Sequence, residues 1–378
     1  MRNISGELVD CQYYVCYLAP FAKAYDRIHI PLSTTICVFG SISNIVNILV
    51  LTRKTMRTPI NIFLTGLSMA QFLLGTNYLA LMVFEYFRSH CYVFSWSYRA
   101  TSYRLINVNL NVVFHTVAFA HTLAVALFRL LALKWPLRAN RFLFCNTWAL
   151  ACSLGIWIIV PFLCIPVFLT SYVALVDDNR GCNFKGMYDL TYSEDSFLVS
   201  AVFWMFGIVL KLIPSLILAF LLTLLIRSLE TMEHRRQDTL HRKISVLRRC
   251  NNRPKTTHTL LAILILCFVV EFPHGILNLF TAIYGDKFGV HIYDQLGSFM
   301  EMLTLLYSSI SFILYCVTSN DFLRTFRQLF LNSKKRIDES SIKRNSRTGS
   351  NNVTRPIESM TLIAPRGPYP TIVLSRSM

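Results

Sequence analysis

Seven runs of about 20 or more mostly apolar residues, divided by polar connections, constrain this chain more than any other feature. Inside hydrocarbon no water can satisfy a backbone amide or carbonyl, so an apolar segment of that length has to bond its backbone internally as a helix. The runs lie at roughly 30–52, 59–84, 105–128, 147–170, 197–226, 258–283 and 295–318. Their apolar residues are continuous rather than confined to one helical face, which separates them from the amphipathic helices of a soluble domain. Only 15% of the residues are charged and 54% are hydrophobic, against about 25% charged in soluble proteins. The chain therefore reads as an all-α membrane protein, a seven-transmembrane helix bundle. The odd number of spans and the lack of an internal repeat disfavour the inverted halves of many transporters.

Charge sets the orientation. The formal net charge is +17, and 27 of the 37 Lys and Arg residues fall in 53–58, 129–146, 227–257 and the tail from 320. Nine lie in 1–29, 85–104, 171–196 and 284–294, and Lys211 stands inside a span. The basic side is cytoplasmic by the positive-inside rule, which places the N-terminus outside and the C-terminus inside. The excess charge is then a topology signal and an attraction to anionic inner-leaflet lipids in the bilayer, not a nucleic-acid footprint. Residues 1–28 lack an apolar signal-peptide core, so the first span serves as signal anchor. Asn3-Ile4-Ser5 is a glycosylation sequon on the outer side, and the sequon at Asn352 falls inside. Eleven cysteines without a CxxC pair argue against structural zinc. Of the nine histidines, His115 and His121 share the third span. They stand about 240° apart around a helix of 3.6 residues per turn. A metal-dependent intramembrane enzyme is therefore disfavoured, and no cofactor is expected.

Particular residues narrow the reading. The first span carries Gly40-x-x-x-Asn44. The third ends Ala126-Leu127-Phe128-Arg129-Leu130, with Pro136 seven residues after Arg129. The fifth contains Lys211-Leu212-Ile213-Pro214 and the sixth Glu271-Phe272-Pro273-His274-Gly275. The seventh ends Ser311-Phe312-Ile313-Leu314-Tyr315-Cys316 and runs into the amphipathic stretch Asp321–Phe326. This pattern resembles the rhodopsin-like (class A) G-protein-coupled receptors. Within them it is similar to the myosuppressin and FMRFamide-related neuropeptide receptors and their nematode relatives. The resemblance covers about 30–330. It implies an extracellular N-terminus at 1–29, a receptor domain with a short amphipathic helix eight at 30–330, and a disordered cytoplasmic tail at 331–378.

The departures from that pattern are specific. Gln71 replaces the usual mid-membrane Asp of the second span, which removes the charge a sodium ion would need. Phe128 replaces the acid before Arg129, Leu130 the aromatic after it, and Ser311-Phe312 the Asn-Pro of the seventh span. Glu271 falls where a switch Trp is common, and Arg104 where a bridging Cys is usual. Together Asn44, Gln71, Pro214, Pro273, Ser311 and Tyr315 are the positions that correspond to the family's activation motifs. Arg129 and Pro136 correspond to the G-protein contact; the bland alternative for Arg129 is snorkelling into headgroups.

Lys211, Glu271 and Glu301 are ionisable residues inside spans. Each costs about 2.5–3.5 kcal/mol to insert unless paired or hydrated. Two readings stand: a ligand cavity, or a buried pair that locks helices, with Lys211 as a partner for Glu271. The resemblance implies a peptide with an Arg before a C-terminal Phe-amide, for which Glu301 offers a bidentate partner. Asn111 and His115 share one face of the third span, and His274 and Asn278 one face of the sixth, as an amide-recognising pocket or as interhelical glue. Tyr78, Phe203 and Phe206 are candidates to pack a ligand Phe. Four outer cysteines, Cys11, Cys16, Cys91 and Cys182, allow three pairings. The family bridge implies Cys182 as loop partner, with Cys91 substituting for the missing mate.

The sequence thus reads as a plasma-membrane receptor for a small amidated neuropeptide, coupled to a heterotrimeric G protein, of the inhibitory class by resemblance. Ser340, Ser341, Ser346, Thr348 and Ser350, set among bases, are candidate phosphorylation sites for arrestin recruitment. The competing reading is a divergent chemoreceptor for a non-peptide ligand or a weakly coupled orphan.

Overall fold

Each apolar run forms one membrane-length helix in a computed structural model that describes residues 18–134, 145–176, 182, 186–193, 195–240, 253–284 and 292–330. We number the spans one to seven: Pro20–Leu51, Pro59–Ser89, Tyr98–Lys134, Asn146–Leu169, Phe197–Met232, Leu261–Tyr284 and Leu296–Val317. Span one packs on two and seven, two on three and four, three on four and five, and six on five and seven.

Several helices outrun their apolar cores. The first helix starts at Ala19 rather than near residue 30, and the third covers Tyr98–Lys134 rather than 105–128. Hydropathy marks only the depth of the hydrocarbon, whereas a helix continues wherever side chains still find partners. The early turns of the first helix have such partners: Ala22 and Tyr25 are buried, and Tyr25 Oη donates to the carbonyl of Ser298. Local chemistry fixes other ends. Thr58 Oγ1 accepts from the Asn61 amide ahead of Pro59, and Asp195 accepts from the amides of Phe197 and Leu198.

The fifth helix is not uniform. Ser196–Trp204 is α-helical, Met205–Leu212 widens to a π-helical turn, and Ile213–Leu240 is α-helical again. Pro214 has no amide to donate back to the preceding turn, which permits the wider winding there. The same segment lies close to span six. A Cβ on Gly207 would sit 3.1 Å from Cβ of Asn278, and one on Gly275 3.4 Å from Cα of Leu212. Small residues let these two backbones approach.

The helical bundle carries one short hairpin outside its spans. Ser171–Val176 (β1) and Met187–Tyr192 (β2) form an antiparallel hairpin between spans four and five, in register from Ser171 opposite Tyr192 to Val176 opposite Met187. The segment is rich in Val, Tyr and Leu and too short to span. The Cys91–Cys182 disulfide is present, with Cα atoms 5.6 Å apart. A helix also continues beyond span seven at 320–330, after Ser319 turns extended and its Oγ accepts from the Phe322 amide. Pro136, Asn3, Cys11, Cys16 and the tail from 331 lie outside the described residues.

The inner half of the bundle has an apolar core. It joins Phe119, Ala126 and Leu130 of span three to Leu218, Leu221, Leu222 and Leu225 of span five, Leu264, Cys267 and Val270 of span six, and Tyr307 of span seven. This core closes the floor beneath the polar interior of the bundle.

Candidate ligand-binding site

Polar side chains gather above that floor in three groups. The deepest joins spans three, five and six. His115 Nε2 lies 2.8 Å from Glu271 Oε1, and the Glu271 side chain is fully buried. Lys211 Nζ lies 3.0 Å from the His274 ring nitrogens and 5.6 Å from the centre of the Phe206 ring. Glu271 therefore takes His115 as its hydrogen-bonded partner, and Lys211 takes His274; the direct Lys211–Glu271 pairing considered from sequence is replaced by two side-by-side contacts. The geometry comes from helix faces. Glu271 and His274 are three residues apart and neighbours on one face of span six, and from that face one reaches span three and the other span five.

The second group joins spans one, two and seven. Tyr78 Oη donates to Glu301 Oε2 at 2.8 Å and lies 3.2 Å from His29 Nε2. His29 Nδ1 in turn lies 3.0 Å from Tyr25 Oη. Glu301 is exposed although Tyr78 beside it is only 3% accessible. The carboxylate is thus held by a phenol on one oxygen while the residue retains accessible surface. Beside this group, Asn77 Nδ2 donates to Asn111 Oδ1 at 2.7 Å and to the Asn107 carbonyl at 2.8 Å. Asn111 therefore turns toward span two, while His115, one turn below it, turns toward span six.

The third group lies at the outer rim. Arg88 Nη2 is 2.8 Å and Arg104 Nη1 3.0 Å from Asp189 Oδ1, and Arg104 also pairs with Glu85. The Arg88 guanidinium lies 3.7 Å over the Trp96 ring.

Among the ligand candidates, the structure brings together His115, Glu271, Lys211 and His274. Asn278 is buried, and its Nδ2 donates to the His274 carbonyl in its own helix. Tyr78 serves as a hydroxyl donor to Glu301. Sequence reasoning missed His29, Tyr25 and Asn77, which lie in or beside helices at positions with no charge to flag them. It counted Glu85, Arg88 and Asp189 only as topology charges.

Of the other predicted positions, Asn44 is buried, and its Nδ2 donates to the Gly40 carbonyl at 2.9 Å. Gln71 is 2% accessible between the helices. Phe128 packs on Phe63 with ring centres 4.5 Å apart, so an apolar contact between spans two and three stands beside Arg129. Arg129 is half-buried at the inner end of span three. Ser311 Oγ donates to the Ser308 carbonyl, and Tyr315 stacks on Phe322 at 5.4 Å. Pro214 is half-buried and Pro273 exposed. His121, which shares span three with His115, faces the other way: its Nε2 lies 3.0 Å from Ser153 Oγ of span four.

Chemically, the site offers two carboxylates and one lysine within the bundle, with histidines able to donate or accept. The formal balance favours a cation, and Glu301 is the carboxylate open to one. The apolar floor below excludes water from the inner contacts and strengthens electrostatic interactions made above it.

Comparison with known proteins agrees with this architecture. Residues 31–333 match the family model described as serpentine type 7TM GPCR chemoreceptor Srw. The chain is 27% identical over 364 residues to the G-protein coupled receptor dmsr-1 of Caenorhabditis elegans, covering 82% of this chain and 70% of that protein. It is 24% identical over 374 residues to the Sex peptide receptor-related protein 2 of the same organism, covering 88% and 80%. It is 23% identical over 338 residues to the FMRFamide receptor of Drosophila melanogaster, covering 83% of this chain and 56% of that protein. With seven membrane-length helices, a polar interior above an apolar floor, and a family match over most of its length, the chain belongs to the Srw family of seven-transmembrane G-protein-coupled receptors and is a multi-pass membrane receptor, not an enzyme.

Proposed function

We propose that the protein is a plasma-membrane receptor for a small amidated peptide ending in Arg-Phe-amide, and that it passes agonist binding to a heterotrimeric G protein. The observation that carries this reading is Glu301, an exposed carboxylate in the interior of the bundle whose other contact is the Tyr78 hydroxyl. A guanidinium supplies the planar pair of donors such a carboxylate accepts. The similarity to a protein named FMRFamide receptor supports the same ligand class. The C-terminal amide and Phe would lie deeper, toward His115, Glu271, Lys211 and His274.

The link between spans three and six through His115 and Glu271 restrains their separation. Ligand engagement of either group would weaken that link and favour an arrangement with the inner ends of spans five and six apart. An agonist shifts the equilibrium only by its differential affinity for that arrangement. Arg129, with Pro136 beyond it, would then meet the G protein; the inhibitory class rests on resemblance, and arrestin recruitment on the Ser and Thr residues set among bases in the tail.

The test is a G-protein activation assay in cells that express the chain, titrated with peptides ending in Arg-Phe-amide. The proposal requires a saturable response at sub-micromolar peptide that is lost in Arg129→Ala at equal surface level. The description of the matched family as chemoreceptors favours a second reading, a non-peptide ligand. A small cationic compound that activates where the peptides are silent would establish that alternative.

A further inference from the structure

We infer that Asp189 is a positioning residue: it clamps the outer β-hairpin to spans two and three by charge, and this clamp keeps the hairpin in place independently of the Cys91–Cys182 bond. Asp189 lies on β2, and its Oδ1 accepts from Arg88 Nη2 at 2.8 Å, from Arg104 Nη1 at 3.0 Å and from the Leu190 amide at 2.8 Å. Arg88 belongs to span two and Arg104 to span three. The Arg88 and Asp189 side chains are 5% and 3% accessible. A pair so little exposed is not weakened by water and salt as a surface pair is. Glu85 pairs with Arg104, so the four groups balance in charge.

The residues next to Asp189 make contacts of the same kind. The Tyr188 carbonyl accepts from Thr101 Oγ1 of span three at 3.0 Å. Met187 is 1% accessible and clusters with Cys182 and with Trp96, over which the Arg88 guanidinium lies. Three successive residues of β2 are therefore seated on helices or on the turn that joins them.

The disulfide packs in the same cluster as Met187 and Trp96, but it is anchored at residues other than those the carboxylate joins. Cys91 lies between spans two and three, and Cys182 lies between the strands, so neither sulfur belongs to a span or a strand. The bond ties loop to loop; the carboxylate ties strand to helix. Neither sulfur is a partner in the Arg88, Arg104 or Leu190 contacts of Asp189. Neutralising Asp189 leaves the bond closed but removes the carboxylate that Arg88 and Arg104 share.

The test is amide hydrogen exchange on the full-length receptor in lipid nanodiscs, with and without a phosphine reductant. It needs no ligand, so its outcome is separate from that of the ligand proposal. In the wild type, reduction should change exchange at 187–192 by less than about 3-fold, because the clamp remains. In Asp189→Asn with the disulfide intact, exchange there should rise by about 10-fold or more, while the amides of 296–317 stay as in the wild type. Asp189→Glu should return the hairpin to within about 3-fold of the wild type, because it restores the charge. If Asp189→Asn does not yield folded receptor, Arg104→Gln removes the span-three half of the clamp alone and should raise hairpin exchange by about 3-fold or more. Loss of hairpin protection on reduction of the wild type would overturn the inference. So would wild-type exchange in Asp189→Asn, or in Arg104→Gln where that variant stands in.

Discussion

Glu301→Gln isolates one charge in the ligand site with little change of shape. The amide oxygen still accepts from Tyr78, which donates to Glu301 Oε2 at 2.8 Å, so the contact between spans two and seven survives. What disappears is the attraction for a ligand guanidinium. At about 4 Å and an effective dielectric of about 20, a full charge pair is worth about 4 kcal/mol. Glu301 is exposed, so water screens the pair and the net loss falls to about 1.5–3 kcal/mol, the range for a hydrogen bond to a charged group. Since about 1.4 kcal/mol is tenfold, potency should fall by about 10- to 150-fold. The assay is a two-by-two cycle of G-protein activation: wild type and Glu301→Gln, each with an Arg-Phe-amide peptide and its citrulline analogue. Citrulline keeps the shape of Arg without its charge. A direct contact requires a coupling above about 1 kcal/mol, so the mutation should cost the citrulline peptide little. Equal losses for both peptides, at matched surface levels, would refute the reasoning and place the ligand Arg elsewhere.

The packing sets three further outcomes. Glu271→Gln removes the charge from the His115–Glu271 link between spans three and six; agonist-free signalling should rise by about 3- to 10-fold, and unchanged basal activity at normal surface level would count against that link as a restraint. His121→Ala deletes a fully buried ring that bridges to Ser153, and the lost contact plus the cavity should destabilise the receptor by about 2–4 kcal/mol, read as a lower melting temperature in detergent. Gly207→Val puts a branched side chain where even a Cβ would approach Asn278 to 3.1 Å; overpacking of about 1–3 kcal/mol should lower thermal stability, whereas Gly155→Val, where a Cβ meets nothing within 4 Å, should not.

The contrast between His115 and His121 shows how far a sequence can be read. Their six-residue spacing puts them on different faces, and the structure sends one to Glu271 and the other to Ser153. Helical periodicity carries that conclusion without any knowledge of the neighbours. Which neighbour each face meets is a different question. Asn111 and His115 share a face by spacing, yet they bond to spans two and six respectively, because each meets whichever polar group lies within its reach. Lys211 and Glu271 are the two opposite charges that a reader of the sequence pairs first; the structure gives each a histidine. The outer clamp was least legible. Glu85, Arg88, Arg104 and Asp189 are ordinary surface-type residues in polar connections or at helix ends, and only the fold of β2 onto spans two and three joins them.

By itself the sequence determined the features that local chemistry and solvent dictate. Seven apolar runs can cross hydrocarbon only with their backbone bonds closed internally, so the number of helices is contained in the order of the residues. The breaks at Thr58-Pro59 and Asp195, and the wide turn before Pro214, arise from single side chains acting on the adjacent backbone. The tertiary structure alone decided the partners. Glu301 is held by Tyr78 of span two, which in turn meets His29 of span one, 223 and 272 residues away from Glu301 in sequence. Charge and hydrogen-bond energies depend on distances of a few ångströms between atoms on different helices, and no periodicity within one helix carries that information.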